Sequence, residues 1–342
     1  MRFPEFNGEW ETKLINDLAV VIGGGTPDTT IKSYWDGEIQ WFTPSEIGKN
    51  KYVDSSLRTI TEVGLNNSSA KLLPPNTILL SSRATIGECS LSLRECATNQ
   101  GFQSLVSKKC YVDFLYYLIQ TKKRDLIRKS CGSTFLEISA NEVRKIQVSV
   151  PTDVEQQKIA GLLSLIDERI ATQNKIIEDL KKLKCAIIEK VYSEIQGKEY
   201  SYRQLFDVVN ERNKQMEYSN ILSASQEKGM VNRDDLNLDI QFERSYINTY
   251  KIVKKGDYVI HLRSFQGGFA FSDKLGVCSP AYTILRPNSI LEYGYLSNYF
   301  TSQRFIKSLV LVTYGIRDGR SINVDEWLRM KITIPPKSTS NI

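Results

Sequence analysis

The chain has 342 residues, with 45 lysines and arginines, 39 aspartates and glutamates and a single histidine, so its formal net charge is +6. This length suits two domains of roughly 150 residues each rather than one small core, and the basic surplus suits a phosphate-backbone partner. Because no apolar run approaches the ~20 residues of a membrane span and the first residues lack the pattern of a signal peptide, we expect a cytoplasmic protein without a membrane partner.

Residues 1–152 have the pattern of a module that mixes strands with helices. The run Asn76–Gly87 (NTILLSSRATIG) places an apolar strand between a turn and an arginine, Arg83. Helical apolar spacing follows over Val112–Lys129, and the alternating strand Ile146–Val150 ends at a proline. The pattern therefore predicts a mixed α/β module that closes with a strand.

The segment 153–196 is predicted to be one long helix. Its start, the Thr152–Glu155 sequence TDVE, has the form of a capping box, and Gly161 is its one glycine. At 1.5 Å per residue such a helix would span ~65 Å, more than a module of this size needs in its core. We favour a spacer that pairs with another long helix, as in a coiled coil, over a helix that packs only on its own domain. The apolar positions of the predicted pairing stripe are Ile159, Leu162, Ile166, Ile170, Ile177, Leu180, Ile187 and Val191.

Residues 197–342 repeat the first module in the same order. Arg263 follows a strand pattern, GDYVIHLRSFQGG, 180 positions after Arg83. Helical spacing recurs over Glu292–Leu311, and the last strand, Lys331–Ile334, again ends at a proline. The sequence thus predicts an α+β fold in which two homologous mixed α/β domains are joined by a long helix of coiled-coil type. The predicted parts are residues 1–152, 153–196 and 197–342.

The sequence predicts neither an active site nor a metal site. Neither Pro-Pro pair has the polar and aromatic flanks of an adenine methyltransferase motif, and there is no GxxxxGK[ST] loop for ATP. Gly23–Pro27 is interpreted as a turn, because no Lys-Ser/Thr follows. His261 lies in a strand-like run, which favours a half-buried strand histidine. The cysteines lack zinc-ligand spacing and are expected to be buried thiols rather than disulfides. They are Cys89, Cys96, Cys110, Cys131, Cys185 and Cys278.

Several segments resemble the specificity subunits of type I restriction-modification systems, and the resemblance extends over nearly the whole chain. A Gly-Gly-Thr-Pro opening followed by Trp-x-Thr-Pro-Ser and an acidic residue, here Glu46, is typical of one target-recognition class. The segments are GGGTPDTTIKSYWDGEIQWFTPSEIG (Gly23–Gly48), LLPPNTILLSSRATIG (Leu72–Gly87), ATNQGF (Ala97–Phe102), GSTFLEIS (Gly132–Ser139) and VPTDVEQQKIAGLLSLIDERI (Val150–Ile170).

The resemblance implies a non-catalytic subunit with two target-recognition domains. Each domain would read one half of a split duplex DNA target, and the long helices would fix the distance between the halves. The chain itself would bind no cofactor. A methylase subunit would use S-adenosylmethionine to methylate adenine, and a restriction subunit would use ATP and Mg²⁺ to translocate and cut. Because the loops of the two modules differ, we expect an asymmetric target.

The sequence departs from the family plan at its end. The plan places a second long helix after the second module, whereas PKSTSNI follows Pro335. The pairing stripe is therefore expected to require a helix from another chain, in trans. Two interpretations stay open: a working specificity subunit, or a truncated or recombining allele that acts as a scaffold, decoy or half-subunit.

Candidate DNA contacts are polar side chains on turns, because base reading needs planar donors and acceptors held over a rigid frame. Arg83 and Arg263 come first, since they recur at the same place after a strand. The alternative is that each arginine braces its loop against a carboxylate. Arg317 and Arg320 are also candidates for phosphate contacts. The remaining candidates are Thr43, Ser45, Glu46, Thr98, Asn99 and Gln100 in the first module and Ser264 and Gln266 in the second.

Overall fold

A computed structural model describes residues 2–132, 136–225, 228–235, 244–261, 268–314 and 321–336. The chain divides into two compact units, Met1–Gln173 and Asn174–Ile342, and the boundary falls inside one long helix. Both units contain strands and helices, which confirms the predicted α+β class. Within the described ranges, no helix is long and apolar enough to cross a membrane.

The first unit is built from short strands and helices. Its strands are β1 (Glu11–Leu14), β2 (Ala19–Gly23), β3 (Trp35–Phe42), β4 (Tyr52–Val53), β5 (Arg58–Ile60), β6 (Ile78–Leu80), β7 (Cys89–Ser92), β8 (Cys96–Thr98), β9 (Gln103–Ser107) and β10 (Gln147–Val150). Its helices are α1 (Ile15–Leu18), α2 (Glu62–Asn66), α3 (Val112–Thr121), α4 (Lys123–Arg128), α5 (Ala140–Arg144) and the first part of α6 (Asp153–Ser193), with 3-10 helices at Lys32–Tyr34 and Pro44–Glu46.

Three sheets organise the first unit. One has the strand order β2-β9-β6-β7-β4, the second has β5-β3-β8, and β1 pairs with β10 in the third. Strands β3 and β8 run parallel, with Phe42 opposite Thr98, so their carboxyl ends lie at the same edge. The predicted helix Val112–Lys129 is two helices, because Lys122 leaves helical geometry with φ −92° and ψ 6°. This bend allows Leu126 of α4 to be fully buried in the core.

The second unit continues with the rest of α6 and its own short elements. Its strands are β11 (Lys198–Ser201), β12 (Phe206–Val209), β13 (Leu222–Ser225), β14 (Gly229–Asn232), β15 (Lys251–Val253), β16 (Tyr258–Ile260), β17 (Phe269–Phe271), β18 (Gly276–Cys278), β19 (Thr283–Pro287), β20 (Thr313–Tyr314), β21 (Ser321–Ile322) and β22 (Lys331–Ile334). Its helices are α7 (Tyr202–Leu205), α8 (Gln303–Ser308) and α9 (Val324–Trp327), with 3-10 helices at Arg233–Asp235, Arg244–Thr249, Tyr299–Thr301 and Leu309–Val312.

The two units share their strand pairing, which confirms the internal repeat. The order β12-β19-β16-β17 in the second unit corresponds to β2-β9-β6-β7 in the first, and β11 pairs with β22 as β1 pairs with β10. The prediction of one helix over Glu292–Leu311 is wrong, because residues 293–298 form turns in which Gly294 has φ +72°. Only α8 and the two 3-10 helices beside it are helical in this segment.

The same frame is filled differently in the two cores. In the second unit the Tyr202 ring stacks on Trp327, with centroids 4.3 Å apart and an interplanar angle of 9°. The corresponding first-unit positions carry Ile15 and Val143, which are also fully buried. An aromatic pair replaces an aliphatic pair at the same junction of helices. The repeat is therefore one of architecture rather than of core composition.

Helix α6 begins at Asp153 as predicted and ends at Ser193, three residues before the predicted end. Glu155 does not close the predicted capping box. Its carboxylate accepts hydrogen bonds from Nε and Nη2 of Arg2, both at 2.7 Å, and from Nε1 of Trp10 at 3.2 Å. The side chain of Glu155 is 1% exposed. The residues that precede β1 are thereby fastened to the first turn of α6.

We expect Glu155→Gln to lower the urea midpoint of the first unit in a pH-dependent way. The hydrogen bonds from Arg2 lower the pKa of the Glu155 carboxyl. A carboxyl whose pKa is lower in the folded state contributes stability above its unfolded pKa and loses that contribution as the pH falls through the folded value. The difference from wild type should be largest near neutral pH and shrink below about pH 4.5, the ordinary pKa. Glu11→Gln is the control, because Glu11 forms an exposed ion pair with Lys13. If Glu155→Gln lowers the urea midpoint equally at pH 7 and pH 3, the proposed role of the Glu155 carboxylate is contradicted.

Candidate nucleic-acid interface

Four turns of the first unit converge at the carboxyl ends of β3 and β8. The amide of Gly25 donates to the Thr98 carbonyl at 2.8 Å, and the amide of Ser82 donates to the Gly101 carbonyl at 2.8 Å. Pro44 lies beside Gly101, since a Cβ placed there would be 3.0 Å from Cγ of Pro44. Sequence motifs that are far apart are thus brought together. We call this group of turns the turn cluster; it consists of residues 24–26, 43–46, 82–85 and 99–101.

Two tryptophans fix the glycine-rich turn of the cluster. Nε1 of Trp41 donates to the Gly25 carbonyl at 2.9 Å, and Nε1 of Trp35 donates to the Asp28 carbonyl at 3.0 Å. The two indole rings pack edge to face, with centroids 5.1 Å apart. These buried donors hold the turn at both ends, which agrees with its interpretation as a turn rather than a phosphate loop.

Glu46 is committed to the protein rather than directed to a partner. One carboxylate oxygen accepts from the amide and the hydroxyl of Thr43, at 2.7 and 2.6 Å. The other accepts from the amide of Leu57 at 2.6 Å. Glu46 therefore links two turns, and its predicted base contact stays a prediction. Ser45 is exposed, with its hydroxyl 3.1 Å from that of Thr43, and its predicted contact with DNA stays a prediction.

Arg83 is paired with a carboxylate, as the alternative interpretation of this arginine expects. Its Nη2 lies 2.8 Å from Oε2 of Glu137, and the two residues also form a backbone bridge. The side chains are 42% and 36% exposed. A pair with this exposure contributes little to stability because water screens it. The guanidinium can therefore exchange its partner at low cost.

The amide-rich segment at the end of β8 contains one interior residue and two outer ones. Thr98, the last residue of β8, is 1% exposed, so in this conformation it cannot reach a base. The Asn99 side-chain oxygen accepts from the Gly101 amide at 2.8 Å. Gln100 is exposed, and its side-chain oxygen accepts from the Thr26 hydroxyl. The turn presents Gln100 on a backbone that Asn99 fixes.

The second unit repeats this turn at Ser279–Ala281. The Ala281 amide donates to the Ser279 hydroxyl oxygen at 3.3 Å, as the Gly101 amide donates to Asn99 in the first unit. Ser279 is not among the predicted contact residues, although it lies 180 positions after Asn99, the same spacing that relates Arg83 to Arg263. Five predicted contact residues lie outside the described residues: Arg263, Ser264, Gln266, Arg317 and Arg320.

His261 follows β16 directly and is half-buried. Its ring packs edge to face on Tyr282, with centroids 5.1 Å apart, and its amide donates to the Gly268 carbonyl at 2.6 Å. The predicted partial burial is correct, but the residue lies one position beyond the strand.

A basic cavity of about 620 Å³ lies beside α4 and β10. Four cationic side chains line it, whereas Asp125 is the one acidic residue in its lining. Arg128 contacts Asp125 at 2.7 Å. Helix α4 leads into Cys131, which exchanges backbone hydrogen bonds with Glu137, the partner of Arg83. The segment after α4 is therefore connected to the turn cluster through Glu137 and Arg83. Its cationic residues are Lys122, Arg128, Lys129 and Lys145.

The described residues contain no group of three or more histidine, cysteine or acidic side chains that could hold a metal ion. The cysteines are free. Burial raises the pKa of the Cys89 thiol to about 12, so this thiol stays protonated and unreactive. Cys131 and Cys185 are exposed, and the prediction of buried thiols is wrong for these two.

The predicted pairing stripe of α6 is largely exposed. Ile159 is the exception, because it packs partly buried against the first core. Beyond it, the seven remaining stripe residues have exposed fractions between 45% and 59%. Such a row of apolar side chains on one helix face is typical of a surface that a second helix covers. These exposed positions are Leu162, Ile166, Ile170, Ile177, Leu180, Ile187 and Val191.

These features define a protein of two modules, each with polar turns on a frame of strands and helices, that are connected in the chain by one long helix. A family model described as the type I restriction modification DNA specificity domain matches residues 7–182, and the chain belongs to this family. The match covers the first module and most of α6. The membership confirms the family resemblance of the sequence.

Two curated relatives are specificity subunits. The chain is 36% identical over 207 residues to the type I restriction enzyme MjaIX specificity subunit of Methanocaldococcus jannaschii, a match that covers 58% of this chain and 48% of the relative. It is 30% identical over 210 residues to the EcoR124I/EcoR124II specificity subunit of Escherichia coli, covering 59% and 48%. The chain thus spans about half the length of these relatives.

Solved structures resemble nearly the whole chain. The S subunit of a type I restriction-modification system from M. genitalium matches with a TM-score of 0.55 and 14% identity, covering 98% of this chain and 88% of that one. A structure described in terms of complex assembly and conformational transition of the type I R-M system matches with a TM-score of 0.60 and 13% identity, with the same coverage. At these identities the likeness concerns the fold, and it confirms the predicted architecture.

Proposed function

We propose that this chain is the DNA-reading specificity subunit of a type I restriction-modification complex. The observation that carries the proposal is the turn cluster, in which polar turns from separate motifs meet at one edge of a rigid frame in a chain of the DNA specificity family. In this proposal residues 1–152 and 197–342 each read one half of an asymmetric split target. The helix between them, residues 153–196, is the spacer.

Phosphate and base contacts have different sources in this proposal. The cationic residues of the basic cavity attract the DNA backbone without regard to sequence. Arg83, Ser45 and Gln100 supply donors and acceptors for base edges, and arginine is suited to guanine O6 and N7. Arg83 would exchange Glu137 for the DNA. Asn99 and Glu46 would keep these turns in place.

Chemistry belongs to the partner subunits in this proposal, and the chain itself is non-catalytic. Methylase subunits would bind S-adenosylmethionine, and a restriction subunit would use ATP and Mg²⁺, in the cytoplasm. The exposed stripe of α6 supports a further contact, with a long helix supplied by another chain. The leucine and isoleucine side chains of the stripe are about half exposed. A helix that covers them removes apolar surface from water, which lowers the free energy of the assembly.

Co-expression with the methylase subunit, followed by mapping of N6-methyladenine, tests the proposal. We expect methylation of one split, asymmetric sequence. Arg83→Ala should reduce discrimination at one base pair of one half by about 1–3 kcal/mol, equivalent to roughly 5- to 150-fold. Arg94→Ala is the matched control. Arg94 also forms an exposed ion pair, with Asp54, but it precedes β8, whereas the turn cluster lies at the carboxyl end of that strand. Absence of any methylated sequence would refute the function, and equal behaviour of the two variants would remove Arg83 from base reading.

A further inference from the structure

Leu57 is an apolar side chain that the first unit holds out into solvent. It is 86% exposed, the largest value among the large apolar side chains of the described ranges. It lies in the loop between β4 and β5, directly before Arg58. Strand β5 is antiparallel to β3, with Arg58 opposite Trp41. Leu57 therefore lies at the carboxyl end of β3, where the turn cluster begins.

The backbone on both sides of Leu57 is fixed by hydrogen bonds. The Leu57 amide donates to the Glu46 carboxylate at 2.6 Å, and the Ser56 amide donates to the Gln40 side-chain oxygen at 2.7 Å. The Ser56 hydroxyl accepts from the Trp41 amide at 2.9 Å and lies 2.6 Å from the Arg58 carbonyl. These hydrogen bonds hold the backbone of the loop, so Leu57 is presented in one position. The Leu57 side chain is not buried against the core of the first unit.

The residue after Leu57 offers a cation to a negatively charged partner. The Arg58 guanidinium lies over the Trp35 ring, with Cζ 3.5 Å from the ring centroid. Arg58 is exposed, and within the described part of the chain it forms no ion pair with a carboxylate. An arginine stacked in this way keeps its outward N–H groups for a phosphate. The exposed Leu57 side chain and the neighbouring Arg58 cation are together complementary to a partner that contains both stacked rings and phosphates.

We propose that Leu57 is a wedge that enters a base step of duplex DNA beside the turns that read the first half-target. This inference rests on the proposed function and extends it from base contacts to DNA shape. Inserted apolar side chains partly unstack a base step and bend the duplex. Flexible pyrimidine–purine steps unstack most easily, so the wedge selects such a step without hydrogen-bonding to its bases. Arg58 would hold the phosphate next to the opened step.

The experiment uses the full chain in complex with its methylase subunit and a duplex that contains the mapped target. Leu57→Ala should weaken binding to that duplex about tenfold and reduce the DNA bend measured by energy transfer between end labels. It should also abolish the fluorescence increase of 2-aminopurine at the opened step. Leu57→Met, which keeps a long apolar side chain, should restore all three signals. Binding to an unrelated duplex should change less than twofold.

Leu72→Ala is the matched control, because Leu72 is 44% exposed but precedes Leu73, which pairs with Cys96 at the other end of β8. If Leu57→Ala behaves like Leu72→Ala in affinity, bend and fluorescence, the wedge is refuted while the proposed function stands. Weaker association with the methylase subunit and an unchanged DNA bend would assign Leu57 to a protein contact and also overturn the wedge. If the wild-type complex prefers no duplex sequence, both proposals fall.

Discussion

Gly24→Ala is expected to abolish reading of the first half-target while the second half is still bound. A Cβ at Gly24 would lie 2.0 Å from the Asn99 carbonyl oxygen and 2.4 Å from Oγ1 of Thr98. The closer atom belongs to the backbone, so relief of the clash moves one of two turns of the cluster by roughly 1 Å. A displacement of about 1 Å can lower the rate of a reaction ~100-fold when that reaction needs closely aligned groups. We therefore expect about 100-fold less methylation of the target.

Gly8→Ala provides the control for this prediction, since a Cβ at Gly8 has no other atom within 4 Å. Both variants should be folded, with Gly24→Ala less stable by about 1–3 kcal/mol, as for other overpacked sites. A nuclease footprint on the target should lose protection of one half with Gly24→Ala and keep the other half. A complete footprint for Gly24→Ala would mean that the turn cluster does not read DNA.

The positions of several strands could be predicted where burial and turn chemistry agree. Lys331–Ile334 is a strand at the predicted residues, and Ile78–Leu80 and Tyr258–Ile260 are strands inside the longer apolar runs that were predicted. Glu292–Leu311 failed because spacing alone does not separate a helix from a series of turns that bury the same side chains. Leu296 and Phe300 are buried as a helix would bury them, but the backbone around Gly294 is not helical.

The turns of the site could be predicted, but the partners of their side chains could not. Glu46 has the correct chemistry for a base contact, yet its second partner, Leu57, arrives through the pairing of β5 with β3. Arg2 meets Glu155 across 153 positions of sequence. Such contacts depend on tertiary pairing, about which local propensity carries no information. The spacing of 180 positions could have identified Ser279, because it aligns the two modules without reference to any contact.

The double variant Ile177→Glu/Leu180→Glu is expected to prevent the helix pairing that we propose for α6. The two side chains are 49% and 59% exposed. At about 100° per residue, the predicted stripe occupies a sector of about 100° on the helix, and both residues lie in it. Two carboxylates covered by a second helix without cationic partners would cost several kcal/mol. A cost of about 4 kcal/mol weakens association roughly 1,000-fold.

The matched control is Ala171→Glu/Ala186→Glu, which adds the same two charges at exposed positions on the opposite face of α6. Sedimentation and co-purification with the methylase subunit are the measurements, and circular dichroism should show equal helix content in all three proteins. The ends of α6 have their own contacts: Tyr117 donates to Asp167 at 2.7 Å in the first unit, and the Arg304 amide donates to Glu189 at 2.9 Å in the second. These contacts do not involve the stripe, so the modules should remain folded. If the stripe variant assembles as well as the control, α6 acts only as a spacer held at its two ends, and the pairing proposal is wrong.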